Sequence, residues 1–341
     1  MNNTKILPEN QDYFSIGLDV SKKTIDICML GDNIQKNMKI DNSIKGINKF
    51  METISSIGVR KKVPLILEST GDCHLLACLL LSKAGYSVKE INPIITKQYI
   101  SKSIRGAKTD KIDSSILAKI GIIDGDKLMT FNRDISIIDA SKKISLISTL
   151  EENIQSLKLS IKNYTKTLNE LGLDISEATK IVEKTIKELE NSLKLLQKEV
   201  ETLEFENPDE NKAIEIIDSI IGVSTYAAKV FYVKFAHKNF ASKESMYAFV
   251  GFDPKLKQSG TSINTNKGIS KRGDSYVRKK LYQIAFCAIQ HYSGFKDKYN
   301  NLKLRGKHHF VCVIGVVKFI INLIRSLLKR NTLFDPNYLN T

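Results

Sequence analysis

The sequence predicts a chain of three parts: an α/β domain, a long helical hairpin and a mostly α-helical C-terminal domain. Three observations lead to this fold class. Short apolar runs alternate with amphipathic helical patterns over the first third of the chain, apolar residues then recur at coiled-coil spacing, and helical patterns return after the polar linker "ENPDEN". The boundaries that we expect are 1–132, 137–205 and 206–341.

The α/β part opens with three strands that suit antiparallel pairing, because turn residues such as "GDN" separate them. Two short, continuous apolar runs follow, as is typical of strands buried within a sheet. The predicted strands are 13–20, 23–30, 33–40, 63–69 and 86–92, and the predicted helices are 43–57, 71–84 and 109–123.

The helical hairpin is predicted from apolar residues that step by alternating threes and fours. One series runs from Ile147 to Leu171, and a second runs from Val182 to Leu203 after the break "GLDIS". A sustained repeat of about 3.5 residues is the seam of a coiled coil. The two arms are of similar length, so they could pair within one chain or with a partner chain.

The C-terminal part contains two segments that suit nucleic-acid contact. "IIDSIIGVSTYAAKVFY" (216–232) reads as helix, glycine turn at Gly222, helix; it is either a helix-hairpin-helix element with turn amides facing a DNA phosphate or an ordinary helical hairpin. A long basic loop is expected at 253–274, carrying Ser259 and Ser262. Loops of that length are uncommon unless functional, although a solvated loop is the alternative.

Composition favours a nucleic-acid partner. The 341 residues carry a formal charge of +15 and have a pI near 9.4, and a pI above about 9 is typical of nucleic-acid-binding domains. An anionic membrane is the weaker alternative, and the abundance of Lys, Ile and Asn accounts for part of the charge. The apolar fraction of 42% is enough for folded cores.

The cysteines and the apolar runs indicate a cytoplasmic protein without a membrane span. The five cysteines include no CxxC pair, which suits reduced thiols. The N-terminus lacks the apolar core of a signal peptide. The longest apolar run, 310–328, is interrupted by Lys318 and Arg325, so we expect a buried helix there.

Four carboxylates are the candidate metal ligands. Asp19 and Glu68 end two predicted strands, while Asp110 and Asp113 lie three apart at the start of a predicted helix. Carboxylates gathered in one pocket repel each other unless divalent cations such as two Mg²⁺ ions lie among them. Taken singly, each carboxylate is better explained as a turn residue or a helix cap, and it is their combined order along one α/β domain that favours a metal site.

Basic residues accompany both the carboxylates and the C-terminal loop, where they suit phosphate contacts. The candidates are Lys102, Arg105, Lys108 and Lys111 near the carboxylates, and Lys267, Lys271, Arg272, Arg278, Lys279 and Lys280 in and after the loop. No His or Asp beside Ser259 marks a catalytic triad, so the residues alone give only weak support for a serine nucleophile.

Six motifs together resemble one family, the DEDD transposases of bacterial insertion sequences, which includes pilin-gene invertases and bridge-RNA-guided recombinases. They occur in the family's order across nearly the whole chain. The motifs are "IGLDVSK" (16–22), "LESTG" (67–71), "KTDKIDS" (108–114), "IIGVSTYAAKVF" (220–231), "FVGFDPKLKQSGTS" (249–262) and "ISKRGDSYVRKKLY" (269–282). Ser224 and Asp274 depart from the usual pattern.

The resemblance implies a RuvC-like, ribonuclease-H-type fold for the α/β part, followed by a coiled coil and a transposase domain. It implies that Asp19, Glu68, Asp110 and Asp113 bind Mg²⁺, with Mn²⁺ as a substitute, and that Ser259 becomes covalently linked to DNA. Implied partners are donor and target DNA, a structured guide RNA and further copies of the chain, in the cytoplasm at the nucleoid. The alternatives are a junction resolvase that uses water and a catalytically inactive nucleic-acid-binding protein.

Overall fold

The computed structural model describes residues 13–69, 71–101, 110–174, 177–236, 238, 240, 242–259 and 263–336, in some places without side chains. The chain divides into two compact units, Met1–Ile135 and Ser136–Thr341. The three-part division expected above remains a prediction.

The first unit is built on a mixed five-stranded sheet in the order β3-β2-β1-β4-β5. The first three strands pair antiparallel, whereas β4 lies parallel to both β1 and β5. This is the predicted arrangement of a meander followed by strand–helix alternation. The strands are β1 (Tyr13–Val20), β2 (Thr24–Gly31), β3 (Ile34–Asp41), β4 (Pro64–Glu68) and β5 (Ser87–Ile91).

The described residues of this unit also form four α-helices and a short 3₁₀ turn, Gly125–Lys127. They are α1 (Ile44–Ser56), α2 (Leu75–Lys83), α3 (Pro93–Ser101) and α4 (Asp110–Asp124). Helices α1, α2 and α4 confirm the predictions to within a few residues. Helix α3 was missed, although a proline at the first helical position is a known start signal.

Helix α4 lies directly on β1 and β4 because two glycines remove the side chains that would keep them apart. A Cβ added at Gly17 would lie 2.0 Å from the Ser114 carbonyl oxygen, and one at Gly121 would lie 2.8 Å from Cγ1 of Ile66. The start of α4 therefore lies near the end of β1 that carries Asp19.

The second unit is mainly helical. Its helices are α5 (Ile135–Glu170, beginning at the boundary), α6 (Glu177–Thr202), α7 (Pro208–Asp218), α8 (Thr225–Phe231), α9 (Lys243–Val250), α10 (Ser275–His291), α11 (Ser293–Leu304) and α12 (His309–Arg330), with a π-helical segment at Tyr232–Ala236. Helix α12 is long and apolar enough to cross a membrane by composition. Its apolar face, including Val313, Val317 and Ile320, is instead buried in the core of this unit.

Helices α5 and α6 lie side by side and antiparallel within the chain. Lys143 pairs with Glu199 at 2.6 Å near one end, and Lys158 pairs with Glu190 at 2.5 Å further along. The apolar seam of α6 is buried or half-buried throughout. Of the two predicted alternatives, the structure therefore shows the arms α5 and α6 paired within one chain. Knobs-into-holes packing between them remains a prediction.

A buried carboxylate on α5 joins the helical hairpin to α10. Glu151 is 8% exposed. It accepts hydrogen bonds from Tyr276 Oη at 2.8 Å, Lys279 Nζ at 2.7 Å, Lys280 Nζ at 3.1 Å and Gln197 Nε2 at 3.0 Å. Burial by itself would raise the pKa of Glu151, but Lys279, Lys280 and Tyr276 outweigh burial and lower that pKa.

Two tyrosines extend this buried cluster. The hydroxyls of Tyr226 on α8 and Tyr276 lie 2.8 Å apart, and the Lys280 ammonium lies 4.8 Å from the centre of the Tyr276 ring. Burial raises the pKa of Tyr226 to about 12. Both hydroxyls therefore stay protonated at neutral pH and donate within the cluster.

The prediction of a long loop at 253–274 is wrong over most of that segment. It is a two-stranded antiparallel hairpin of β6 (Pro254–Ser259) and β7 (Ile263–Ile269). The two strands are held together by backbone pairing. The prediction missed them because their mostly polar sequence lacks the apolar alternation that identifies a half-buried strand.

Candidate active-site elements

The edge of the sheet in the first unit brings two of the predicted carboxylates to one face. Leu18 of β1 pairs with Leu67 of the parallel strand β4, so the next residues, Asp19 near the end of β1 and Glu68 at the end of β4, lie on neighbouring strands. Side chains alternate along a strand, so these two share a face with Gly17 and Ile66, the residues that meet α4. Asp19 and Glu68 are both partly exposed.

The other two predicted carboxylates lie in the first turn of α4. Asp110 is the first residue of the helix, and Asp113 precedes Ser114, whose carbonyl oxygen lies against Gly17. The Asp110 side chain lies outside the described part of the structure. The fold therefore brings the start of α4 towards the strand end that carries Asp19 and Glu68.

The donor chemistry of this face suits a hard divalent cation, because carboxylate oxygens are the ligands that Mg²⁺ prefers. Among the described side chains, which leave out Asp110, no group of three or more His, Cys, Asp or Glu could hold a metal ion. The four-ligand set remains a prediction.

Ser259 is the last residue of β6 in the second unit, where its backbone pairs with Ile263 of β7. Its side chain lies outside the description. Ser259 therefore lies at the opposite end of β6 from the hairpin base at Asp253 and Ser270.

The base of this serine hairpin is tightly fixed. Ser270 N donates to Asp253 O at 2.8 Å, and the Ser270 hydroxyl also contacts the Asp253 carboxylate. Gly251 has φ +79, and a Cβ there would lie 2.8 Å from Arg272 N. A Cβ at Gly273 would lie 1.9 Å from Phe249 O. The two chain segments at the base therefore touch backbone to backbone.

The basic residues predicted to contact nucleic acid have different surroundings. Lys271 and Arg272 are exposed beside the hairpin base, and Lys271 adopts a left-handed backbone with φ +57. Arg278 Nη1 donates to Val250 O at 3.1 Å and Gly273 O at 2.7 Å, so it also holds the hairpin base. Lys267 lies on β7, with its side chain outside the description.

The remaining predicted contacts are only partly visible. Lys102, Arg105 and Lys108 lie outside the described residues. Gly222 has φ +91 in the turn between α7 and α8, and a Cβ there would lie 2.9 Å from Ala288 N. Close packing on α10 is therefore sufficient to require glycine at this position, whether or not the turn contacts phosphate.

Sequence reasoning missed two features that shape these elements. Gly17 allows α4 to lie on the sheet, and Gly251 allows the hairpin base to close. The only sequence signal was their place inside the motifs "IGLDVSK" and "FVGFDP". The partner of Lys279 and Lys280, Glu151, carried no sequence signal.

Comparison with known proteins gives consistent matches across both units. A transposase family model of the DEDD, IS110 type matches residues 16–145, and a model described as transposase of the IS116/IS110/IS902 family matches residues 214–300. A pilin gene-inverting protein of Moraxella bovis is 22% identical over 326 residues, covering 94% of this chain and 97% of that protein. A pilin gene-inverting protein of Moraxella lacunata is 22% identical over 323 residues, with the same coverage.

Proposed function

Since the chain belongs to the IS110-type family of DEDD transposases, we propose that it cuts and rejoins DNA strands through a covalent serine–DNA intermediate. The observation that carries the proposal is the placement of Asp19, Glu68 and the start of α4 at one edge of the sheet, inside the segment that the DEDD model matches. The second match contains the serine hairpin.

The proposed chemistry is a pair of phosphoryl transfers at one DNA phosphate. The Ser259 oxygen attacks the phosphorus as its proton passes to water; a serine–phosphate ester forms as the bond to the DNA 3′ oxygen breaks, and that oxygen takes up a proton from water to become a 3′ hydroxyl. A 3′ hydroxyl from another strand then attacks the ester and releases the serine. Each step exchanges one phosphate ester for another, so rejoining requires no external energy source.

The carboxylates Asp19, Glu68, Asp110 and Asp113 would hold divalent cations, Mg²⁺ or Mn²⁺. When bound, such ions stabilise charge on the phosphate and on the attacking and leaving oxygens. Asp19 and Glu68 lie on neighbouring strands, Asp110 and Asp113 lie in the first turn of α4, and Ser259 ends a strand of the hairpin whose base is closed by backbone contacts. We propose that the acids and the serine act together on one phosphate.

The proposed partners follow from charge and exposed surface. A net charge of +15 suits donor and target DNA and a structured guide RNA, whose base pairing would select the sequence. Exposed apolar side chains on the helical arms, including Leu171, Ile181 and Leu195, support a homo-oligomer that brings DNA duplexes together. We propose that it acts at the nucleoid in the cytoplasm.

A trapping experiment tests the nucleophile. The protein is incubated with Mg²⁺, guide RNA and DNA labelled on the strand end that would stay bound to serine, and then denatured in detergent. We expect a protein–DNA adduct with the native chain and with Ser262→Ala, the matched control three positions after Ser259. Ser259→Ala should give no adduct while still binding DNA.

The outcomes separate the alternatives. Free 5′-phosphate ends without an adduct would instead indicate hydrolysis by water, as in a junction resolvase. Tight, salt-sensitive binding with no cleavage at all would indicate an inactive nucleic-acid-binding protein. An adduct that persists in Ser259→Ala would show that another residue is the nucleophile.

A further inference from the structure

The C-terminal end of the chain carries a second basic surface that the proposed chemistry does not use. From 298 to 334 the sequence contains no Asp or Glu. Lys303, Arg305 and Lys307 lie within five residues, at the turn between α11 and α12, and all three are exposed. Within the described part of the chain, no ion pair neutralises any of them. Three adjacent cations without local acids favour an anionic ligand.

Exposed aromatic rings lie beside these cations. Phe310, in the first turn of α12, is 57% exposed. The His308 ring stacks on it with centroids 5.6 Å apart and planes at 22°, and Tyr282 of α10 lies 6.2 Å from it. Leu304 at the same turn is 85% exposed. We call residues 303–310 the α12 platform. Unstacked nucleobases stack on aromatic rings, and the phosphates beside them bind cations. Exposed rings next to lysine and arginine therefore suit a single-stranded nucleic acid.

The α12 platform is continuous with the serine hairpin along one face of α10. Arg278, Tyr282 and Phe286 follow at intervals of four residues, so they share that face. Arg278 holds the hairpin base, Tyr282 contacts Phe310, and Phe286 is 44% exposed. The stripe rises about 12 Å along the helix. A strand leaving the hairpin could therefore follow α10 to the platform.

We propose that the α12 platform binds single-stranded DNA, with an unpaired base stacked on Phe310 and His308 and the flanking phosphates on Lys303, Arg305 and Lys307. Duplex DNA keeps its bases stacked inside the helix, so exposed rings favour an unpaired strand. The α12 platform is continuous with the serine hairpin, where the proposed function has DNA strands cut. The ligand that we propose is therefore DNA and not RNA. To that extent the proposal rests on the proposed function.

Binding measurements test the platform without any cleavage step. Fluorescence anisotropy of the full chain is measured with a labelled single-stranded DNA, its duplex and the RNA of the same sequence, over a series of salt concentrations. We expect Phe310→Leu to weaken single-stranded DNA binding about five- to 150-fold, the range found when one stacked base loses its aromatic partner. Phe310→Tyr, which keeps the ring, should bind as the native chain does.

A charge-removal variant tests the phosphate contacts. We expect Arg305→Ala with Lys307→Ala to weaken single-stranded DNA binding about tenfold at 0.15 M salt and to reduce the logarithmic salt slope by about 1.4. The matched control, Lys45→Ala with Lys49→Ala, removes the same charge from the exposed face of α1. It should leave both values close to native.

Three results would overturn the proposal. These are native affinity in Phe310→Leu, an equal loss for duplex and single-stranded DNA, and a loss confined to RNA. The trapping experiment is independent, because an adduct at Ser259 with unchanged strand binding in Phe310→Leu would reject the platform alone. Conversely, ring-dependent strand binding without any adduct would reject only the proposed chemistry.

Discussion

Removing the Glu151 carboxylate should strongly destabilise the second unit. In Glu151→Ala, Lys280 keeps a largely buried ammonium with a side chain 15% exposed, and Tyr276, 5% exposed, loses the acceptor of its hydroxyl. Lys279 is 43% exposed, so water replaces much of its contact. Breaking a buried, charged hydrogen-bond group of this kind costs about 3–5 kcal/mol of unfolding free energy.

Urea and thermal unfolding followed by circular dichroism measure this loss. For a unit of this size we expect the melting temperature to fall by about 6–20 °C. The matched control is Glu152→Ala, which removes an exposed carboxylate next in sequence and should change stability by less than about 0.5 kcal/mol.

A double variant separates the lost ion pair from lost packing. Glu151→Leu with Lys280→Met removes both charges together, so it should recover much of the stability that Glu151→Ala loses. If Glu151→Ala and Glu152→Ala unfold at the same urea concentration, the buried cluster does not hold α10 to the helical hairpin and the reasoning is refuted.

Three further predictions concern pH, close packing and metal. Because the pKa of Glu151 is lowered in the folded state, its stabilisation is present above the ordinary glutamate pKa of about 4.3 and is lost as the pH falls below it. The urea midpoints of the native chain and Glu151→Gln should therefore converge between pH 6 and about pH 3, and a gap that widens on acidification would contradict the lowered pKa. Gly17→Ala places a carbon 2.0 Å from a backbone oxygen of α4, so it should lower the free energy of unfolding by about 3 kcal/mol or more and reduce adduct formation. In the control, Gly58→Ala, the added carbon meets no atom within 4 Å. That variant should lose only about 1–2 kcal/mol, the cost of a left-handed backbone at a residue other than glycine. EDTA should stop adduct formation, and Mg²⁺ or Mn²⁺ should restore it; an adduct that forms equally well in EDTA would remove the metal proposal.

Much of the first unit could be predicted because its signals are local. Buried strands such as β4 read as short apolar runs, and α4 reads as an apolar repeat after a cap residue. Asp19 and Glu68 each follow an apolar run that was predicted to be a strand, and the ends of neighbouring strands can bring two such acids side by side. The parallel register that brings these two together is a pairing of distant segments, and only the structure supplies it.

The second unit shows where local reading fails. The serine hairpin was taken for a loop, because a polar two-stranded ribbon has no apolar face to reveal its period. Lys279, Lys280 and Arg278 read as a single cationic cluster. In the structure the two lysines bind Glu151, more than a hundred residues earlier, and Arg278 binds backbone carbonyls. Charge alone does not show whether a cation is available to a ligand.

The sequence by itself determined the strands and most helices of the first unit, the net positive charge, the helical arms and the family's motif order, since each depends on residue type and on spacing between near neighbours. The tertiary structure decided which side chains face each other: α4 against β1, the hairpin base against Gly251, and Glu151 against α10. These contacts join residues that are far apart in the chain. Packing and backbone pairing between distant segments select them, and the local sequence pattern does not.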